Sequence, residues 1–171
     1  VAVVVVTGEG ERAFCTGAEI DAWADLPRAD CARVWVRGGH RIFDRLARLA
    51  KPTIAALNGH AFGGGLELAA ACDIRVITPR ATIALPEAGV GIVPGWSGSQ
   101  RLARLIPVGM LKEMALFGRR IGADRARGQS LRLPPGAGGG NRFRQPARRR
   151  RVRPGRGLRP LETGECPVFP G

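Results

Sequence analysis

Tyrosine is absent, and the remaining aromatics are three Trp and six Phe. A base-stacking surface therefore has few candidates, and Phe143 alone interrupts the densest arginine stretch. Histidine occurs twice, at 40 and 60, so a metal site has few ligands to draw on. The four cysteines, at 15, 31, 72 and 166, form no CxxC pair and match no zinc spacing. Free thiols in a reducing cytoplasm are the expectation. No apolar run approaches the ~18 residues of a membrane-spanning helix. Glycine has no strict period, which excludes a collagen-like chain. Neither GxGxxG nor a P-loop lysine is present, which disfavours nucleotide phosphates as ligands. Val1 to Val6 follow no basic stretch and no Met, so a secretory leader is not expected. The chain reads as a fragment beginning within a strand.

Acidic residues are the other shortage. Asp and Glu number 14 against 27 Lys and Arg, a net charge of +13 over 171 residues. Such a balance raises the possibility of nucleic-acid binding. Its distribution argues otherwise for most of the chain. Residues 1–127 carry 17 basic and 12 acidic residues, whereas 128–171 carry 10 and 2. That last segment holds 10 Arg, 9 Gly and 7 Pro, with a basic block at Arg148 to Arg151 and no apolar periodicity. It buries too little apolar surface to offset its ordering entropy and is expected to be disordered. The division is therefore a folded part, 1–127, and an Arg/Gly/Pro-rich tail, 128–171.

Within 1–127 strands alternate with helices. Val1 to Val6 predict a buried strand of a parallel sheet, closed by the Thr7-Gly8-Glu9-Gly10 turn. Apolar positions at Val34, Ile42, Phe43, Leu46 and Leu49 predict a helix over 29–50, stopped by Pro52. Thr53 to Leu57 predicts a second strand, and Asn58-Gly59-His60 a turn. Gly63-Gly64-Gly65 then opens a helix reaching Cys72. Residues 74–77 predict a third strand and Ala81 to Leu85 an extended piece. A Gly-rich loop follows from Gly89 to Gly98, with short helices over Gln100 to Leu105 and Leu111 to Phe117. The pattern is α/β with a mostly parallel sheet. No internal repeat is evident.

Chemistry concentrates at three places. The Gly63-Gly64-Gly65 junction puts unpaired N–H groups and the positive end of a helix dipole where glycine admits a close oxygen. An oxyanion hole, a phosphate site and plain strand–helix packing are all consistent with it. Glu67 lies one turn on, among Leu66, Leu68 and Ala69. A carboxylate there is either used or turned to solvent. Glu87 ends an extended piece beside the Gly-rich loop, as a functional group or an exposed loop residue. The bland readings fit the rest. His60 caps a turn or packs, and Trp96 lines a pocket or packs. Ser97 and Ser99 lack an evident His–Asp set. Arg101 and Arg104 form a solvated helix face, and Cys15 is a small packing residue.

Three blocks in order are the stretch Ala13 to Ile20 (AFCTGAEI), residues 51–76 (KPTIAALNGHAFGGGLELAAACDIRV) and residues 84–107 (ALPEAGVGIVPGWSGSQRLARLIP). Together the blocks resemble the crotonase (enoyl-CoA hydratase/isomerase) superfamily over roughly residues 1–127. The resemblance implies a ββα spiral core, here incomplete at the N-terminus and with the C-terminal helices replaced by the tail. It implies an acyl-CoA thioester substrate, no cofactor beyond that coenzyme A, no metal and no membrane. Backbone N–H groups of Ala18 and Gly64 would form the oxyanion hole. Glu67 and Glu87 would share water activation at Cβ and proton delivery to Cα, with Glu87 the principal acid/base. Coenzyme A would lie near Phe14, Thr16 and Gly17, and Gly95 would supply a backbone donor. The intact family implies a cytoplasmic homo-oligomer, a trimer or a dimer of trimers.

Retention of both glutamates points to enoyl-CoA hydration rather than double-bond isomerisation or another acyl-CoA reaction of the family. Glu19 stands where the family usually has Asp. The tail's Arg, Gly and Pro are encoded by GC-rich codons, which suggests a shifted reading frame near residues 125–130 and hence an inactive product as one reading. Nucleic-acid binding through the tail is the reading from another class.

Overall fold

The computed structural model describes residues 2–19 and 27–130, excepting the side chains of 28 and 128–130. The chain lays down strands in pairs. β1 (Val4–Thr7) and β2 (Ala13–Cys15) are followed by a helical run of Arg28–Asp30, a π-helical stretch Cys31–Val36 and α1 (Arg37–Ala47). β3 (Thr53–Leu57) and β4 (His60–Phe62) lead into α2 (Gly64–Ala71), and β5 (Ile74–Ile77) and β6 (Thr82–Ala84) into a 3-10 helix, Pro86–Val90. Then come α3 (Gly98–Leu102), α4 (Val108–Phe117), β7 (Ile121–Gly122) and α5 (Ala123–Ser130).

Odd and even strands part company. β1, β3 and β5 form one sheet, and β2, β4, β6 and β7 the other. All neighbours are parallel except β6 and β7. Each ββα turn thus adds one strand to each sheet, so the path is a spiral. A mostly parallel α/β architecture was the sequence expectation. The ββα spiral implied by the family resemblance is present as well, although no recurring residues carry it, since the repeat lies in the topology.

Side-chain latches hold the turns in register. Thr53 donates its N–H and its hydroxyl to Asp73 Oδ2, each at 2.8 Å, and its Oγ1 accepts the Asp73 N–H. Asn58 closes the β1–β2 turn, donating to the Gly8 and Gly10 carbonyls and accepting the Gly8 N–H. Each bond contributes about 0.5–1.5 kcal/mol net, more where a charged group takes part. The hydrophobic core draws on both sheets and on α2, α3 and α4, gathering Phe14, Ala55, Leu57, Ala61, Leu66, Leu85, Leu102 and Met114. Small alanines at 55, 61 and 69 let the layers approach closely.

Several expectations are corrected. β1 is not buried on both faces: Val5, Ile74 and Val76 are 51–59% exposed along one face of the first sheet. Burial on the other face suffices to form the strand. β2 (Ala13–Cys15) and β4 (His60–Phe62) were not predicted, and β4 begins at the last residue of the predicted 58–60 turn, since strands of three residues show no readable alternation. Helix α3 ends at Leu102, and α4 starts earlier than predicted, at Val108 behind Pro107. Helix α5 runs to Ser130, past the boundary set from composition at 127. The rest of that tail, with Cys166, lies outside the described residues, as does Ile20. The described cysteines form no disulfide. No described helix is long and apolar enough to cross a membrane.

Candidate active site

Three consecutive glycines build the floor of the site, each for a separate reason. Gly63 precedes α2 with φ of +51°, a conformation that favours glycine. A Cβ on Gly64 would stand 2.6 Å from the Trp96 ring, and one on Gly65 would collide with the Cys15 carbonyl. The chain can therefore leave β4 and enter α2 hard against β2 only with glycine at all three. Gly64 is the first residue of α2, so its N–H has no acceptor within the helix. Gly17 lies alongside: a Cβ there would be 3.4 Å from the Gly64 nitrogen. Ala18 follows in the same half-buried segment, and Thr16 beside it is exposed.

Glu67 is on α2, one turn from Gly64, and 2% exposed. The solvent-facing reading is therefore excluded. Its Oε1 accepts the Trp96 N–H at 2.8 Å and the Gly98 N–H at 2.7 Å. Burial pushes its carboxyl above the usual range. The Gly98 and Trp96 N–H groups, then the His40 and Arg101 charges, oppose that rise. Glu87 sits in the 3-10 helix and is also buried. Its Oε1 would be 2.9 Å from a Cβ on Gly63, so it faces the same glycine turn. Its Oε2 is buried with no hydrogen-bond partner. Burial raises its carboxyl too, and the Glu67 charge raises it further.

The structure thus brings Glu67, Glu87, Gly64 and Gly17 together, with Ala18 adjoining. Phe14 is not among them, since its side chain is buried in the hydrophobic core. Gly95 is half-buried in the loop before Trp96, but the N–H groups that reach Glu67 belong to Trp96 and Gly98. His60 packs, as one reading held: Nδ1 accepts the Thr82 N–H and the ring stacks on Phe62. Among the described residues no three His, Cys, Asp or Glu side chains gather as a metal site.

Other residues of the site escaped the sequence reading. Arg101 is no solvated residue. Its side chain is 15% exposed and binds Asp44 at 2.6 Å and the Trp96 carbonyl at 2.7 Å. Trp96 packs against Trp35 and Phe43, with ring centroids 5.0 and 5.3 Å apart, and donates its indole N–H to the Trp35 carbonyl. Ser97, for which no partner was evident, lies 2.6 Å from His40 Nδ1. These contacts span 57 to 61 residues, and no local pattern announces them.

A spiral of ββα turns that packs two buried carboxylates around a glycine-opened helix is the crotonase fold. The chain belongs to the enoyl-CoA hydratase/isomerase family, whose model matches residues 1–130. It is similar to the short-chain-enoyl-CoA hydratase of Clostridium acetobutylicum, 42% identical over 126 residues, which are 74% of this chain and 48% of that one. The crotonyl-CoA hydratase of Syntrophomonas wolfei is 40% identical over 126 residues, 74% of this chain and 48% of that one. Among solved structures, Pseudomonas aeruginosa DspI matches with a TM-score of 0.73 at 41% identity, over 77% of this chain and 53% of that one. An enoyl-CoA hydratase of Bacillus anthracis matches with a TM-score of 0.70 at 43% identity, over 75% and 50%. The chain spans about half the length of the relatives it matches.

Proposed function

We propose that this chain carries the catalytic half-sites of an enoyl-CoA hydratase, which adds water across the 2,3 double bond of an acyl-CoA thioester. The observation that carries the reading is the pair of buried carboxylates, Glu67 and Glu87, held beside the N-terminus of α2. The thioester oxygen takes up negative charge as the enolate-like state forms. The Gly64 N–H, backed by the helix dipole, and the Ala18 N–H stabilise it; one such donor is typically worth about 3 kcal/mol. Glu67, whose Oε1 is fixed by two backbone donors, orients the attacking water at Cβ and accepts the proton that the water gives up as its oxygen bonds Cβ. Glu87, raised by burial and by the Glu67 charge, holds the proton that is delivered to Cα. Two carboxyls whose surroundings differ can divide acid and base work in this way.

Isomerisation needs one carboxyl to move a proton, so the second buried glutamate favours hydration. The names of the relatives support the same reaction class. No cofactor is called for beyond the coenzyme A of the substrate, which would lie across residues 16–18. The reading includes a cytoplasmic homo-oligomer and a core over 1–127, and it gives the basic tail no role in nucleic-acid binding.

The test is crotonyl-CoA hydration, followed as loss of the conjugated thioester absorbance. Glu87→Gln is expected to abolish it. Glu67→Gln is expected to depress hydration more than any proton exchange at the α or γ carbon. A folded chain that isomerises 3-enoyl-CoA but never hydrates crotonyl-CoA would overturn the reading.

A further inference from the structure

Among the described residues, Ser97 is the one non-glycine residue with positive φ, +69°. A serine held in the left-handed region is disfavoured relative to glycine, so its surroundings must hold it there. It stands between Trp96 and Gly98, whose N–H groups converge on Glu67 Oε1. A left-handed residue between two donors turns both N–H groups toward one anion. The side-chain partner that Ser97 has is His40, with Oγ 2.6 Å from Nδ1. With neutral His40 the hydroxyl donates to Nδ1, and with the imidazolium Nδ1–H donates to Oγ, so the contact survives either state.

His40 belongs to α1, and α1 grips this turn from several directions. Asp44 holds Arg101, which binds the Trp96 carbonyl. Phe43 packs on the Trp96 ring. The charged groups facing Glu67 are His40 from α1, Arg101 from α3 and Glu87 from the 3-10 helix. Asp44, on α1 one turn from His40, is engaged by Arg101 and Arg48.

We propose that His40 and Ser97 are positioning residues for Glu67, pinning the 96–98 turn so that both N–H groups stay on Oε1. For its catalytic consequence this rests on the hydratase reading. The pair acts in one direction: the two N–H bonds and the His40 charge all favour the ionised Glu67, the form that orients water. Glu87 is thereby left as the proton holder.

The test uses Ser97→Gly, which suits the left-handed turn and removes the hydroxyl together with Cβ, alongside His40→Asn and the double variant. The Glu67 carboxyl is titrated by 13C NMR in glutamate-labelled chain, with its signal assigned through Glu67→Gln. The Ser97→Gly melting temperature is expected to match or exceed that of the parent. The Glu67 titration midpoint is expected to rise in both single variants and to rise by less than their sum in the double. For crotonyl-CoA, kcat is expected to fall roughly tenfold, less than the ~100-fold of a full 1 Å misplacement, with little change in KM. A Glu67 midpoint that stays put in folded variants, or a kcat that falls only with the amount of folded protein, overturns the proposal. A parent chain that hydrates no enoyl-CoA overturns the hydratase reading instead, and the NMR midpoint still decides the positioning.

Discussion

Replacing Gly98 with alanine aims a methyl group at the Glu67 side chain. A Cβ built there would overlap Glu67 Cγ and stand 2.7 Å from Oε1 and 2.9 Å from Cδ. Non-bonded carbons sit ~3.5–4.0 Å apart, so Glu67 must retreat by about 1 Å. Its bonds to the Gly98 and Trp96 N–H groups, now 2.7 and 2.8 Å, would stretch out of range. A displacement of this size costs on the order of 100-fold in rate, or about 2.7 kcal/mol of barrier. The backbone itself is undisturbed. Gly98 opens α3 without a left-handed φ, and alanine in a helix is favoured over glycine by roughly 0.5–1 kcal/mol. Activity should therefore fall far more than stability. The assay pairs initial rates of crotonyl-CoA hydration with a thermal melt. Gly109→Ala, in α4 with nothing within 4 Å of the added methyl, serves as the control and should keep the parent rate. A Gly98→Ala chain that melts like its parent and turns over like it would refute the geometry claimed for Glu67.

Two further outcomes follow from the same site. Gly65→Ala drives a Cβ into the Cys15 carbonyl, a backbone atom that cannot swing away, so it should destabilise by about 1–3 kcal/mol and lower the melting temperature. The second concerns pH. Both glutamates have folded-state pKa values above the ordinary glutamate value of 4.5, so the folded chain holds these protons more tightly than the unfolded chain. Their contribution is fully present below 4.5 and is lost as pH rises through the raised values. Melting temperature should thus gain from this pair on acidification from neutrality, and Glu67→Gln should flatten that gain. A variant whose pH dependence of melting is unchanged would show that burial of the Glu67 charge carries no such cost.

Much of the scaffold was legible from local chemistry. Thr53 to Leu57 and residues 74–77 are β-branched and aliphatic runs bounded by breakers, and both are strands. Gly63 to Gly65 before an alanine-rich stretch announced the start of α2. The two glutamates were singled out as candidates, but their burial was not readable. For Glu67 the neighbouring residues permitted either face, and the contact with the 96–98 turn settled it. The short strands β2, β4 and β7 exist because neighbours pair with them, and three or two residues carry no period of their own.

The sequence by itself determined the alternation of strands and helices, the glycines that permit a tight β4–α2 junction and the identity of the two acids. It also set the shortage of metal ligands and the concentration of positive charge after residue 127. Those properties are local or compositional, so they can be read residue by residue. The tertiary structure alone decided that odd and even strands divide between two sheets, that Arg101 is enclosed and that Ser97 meets His40. Each of these depends on contacts between segments about 20 to 60 residues apart. Such contacts form because a parallel spiral stacks distant turns side by side. A chain read along its length shows which groups are present, and only the stacking of its turns shows which of them are dry, paired and close enough to react.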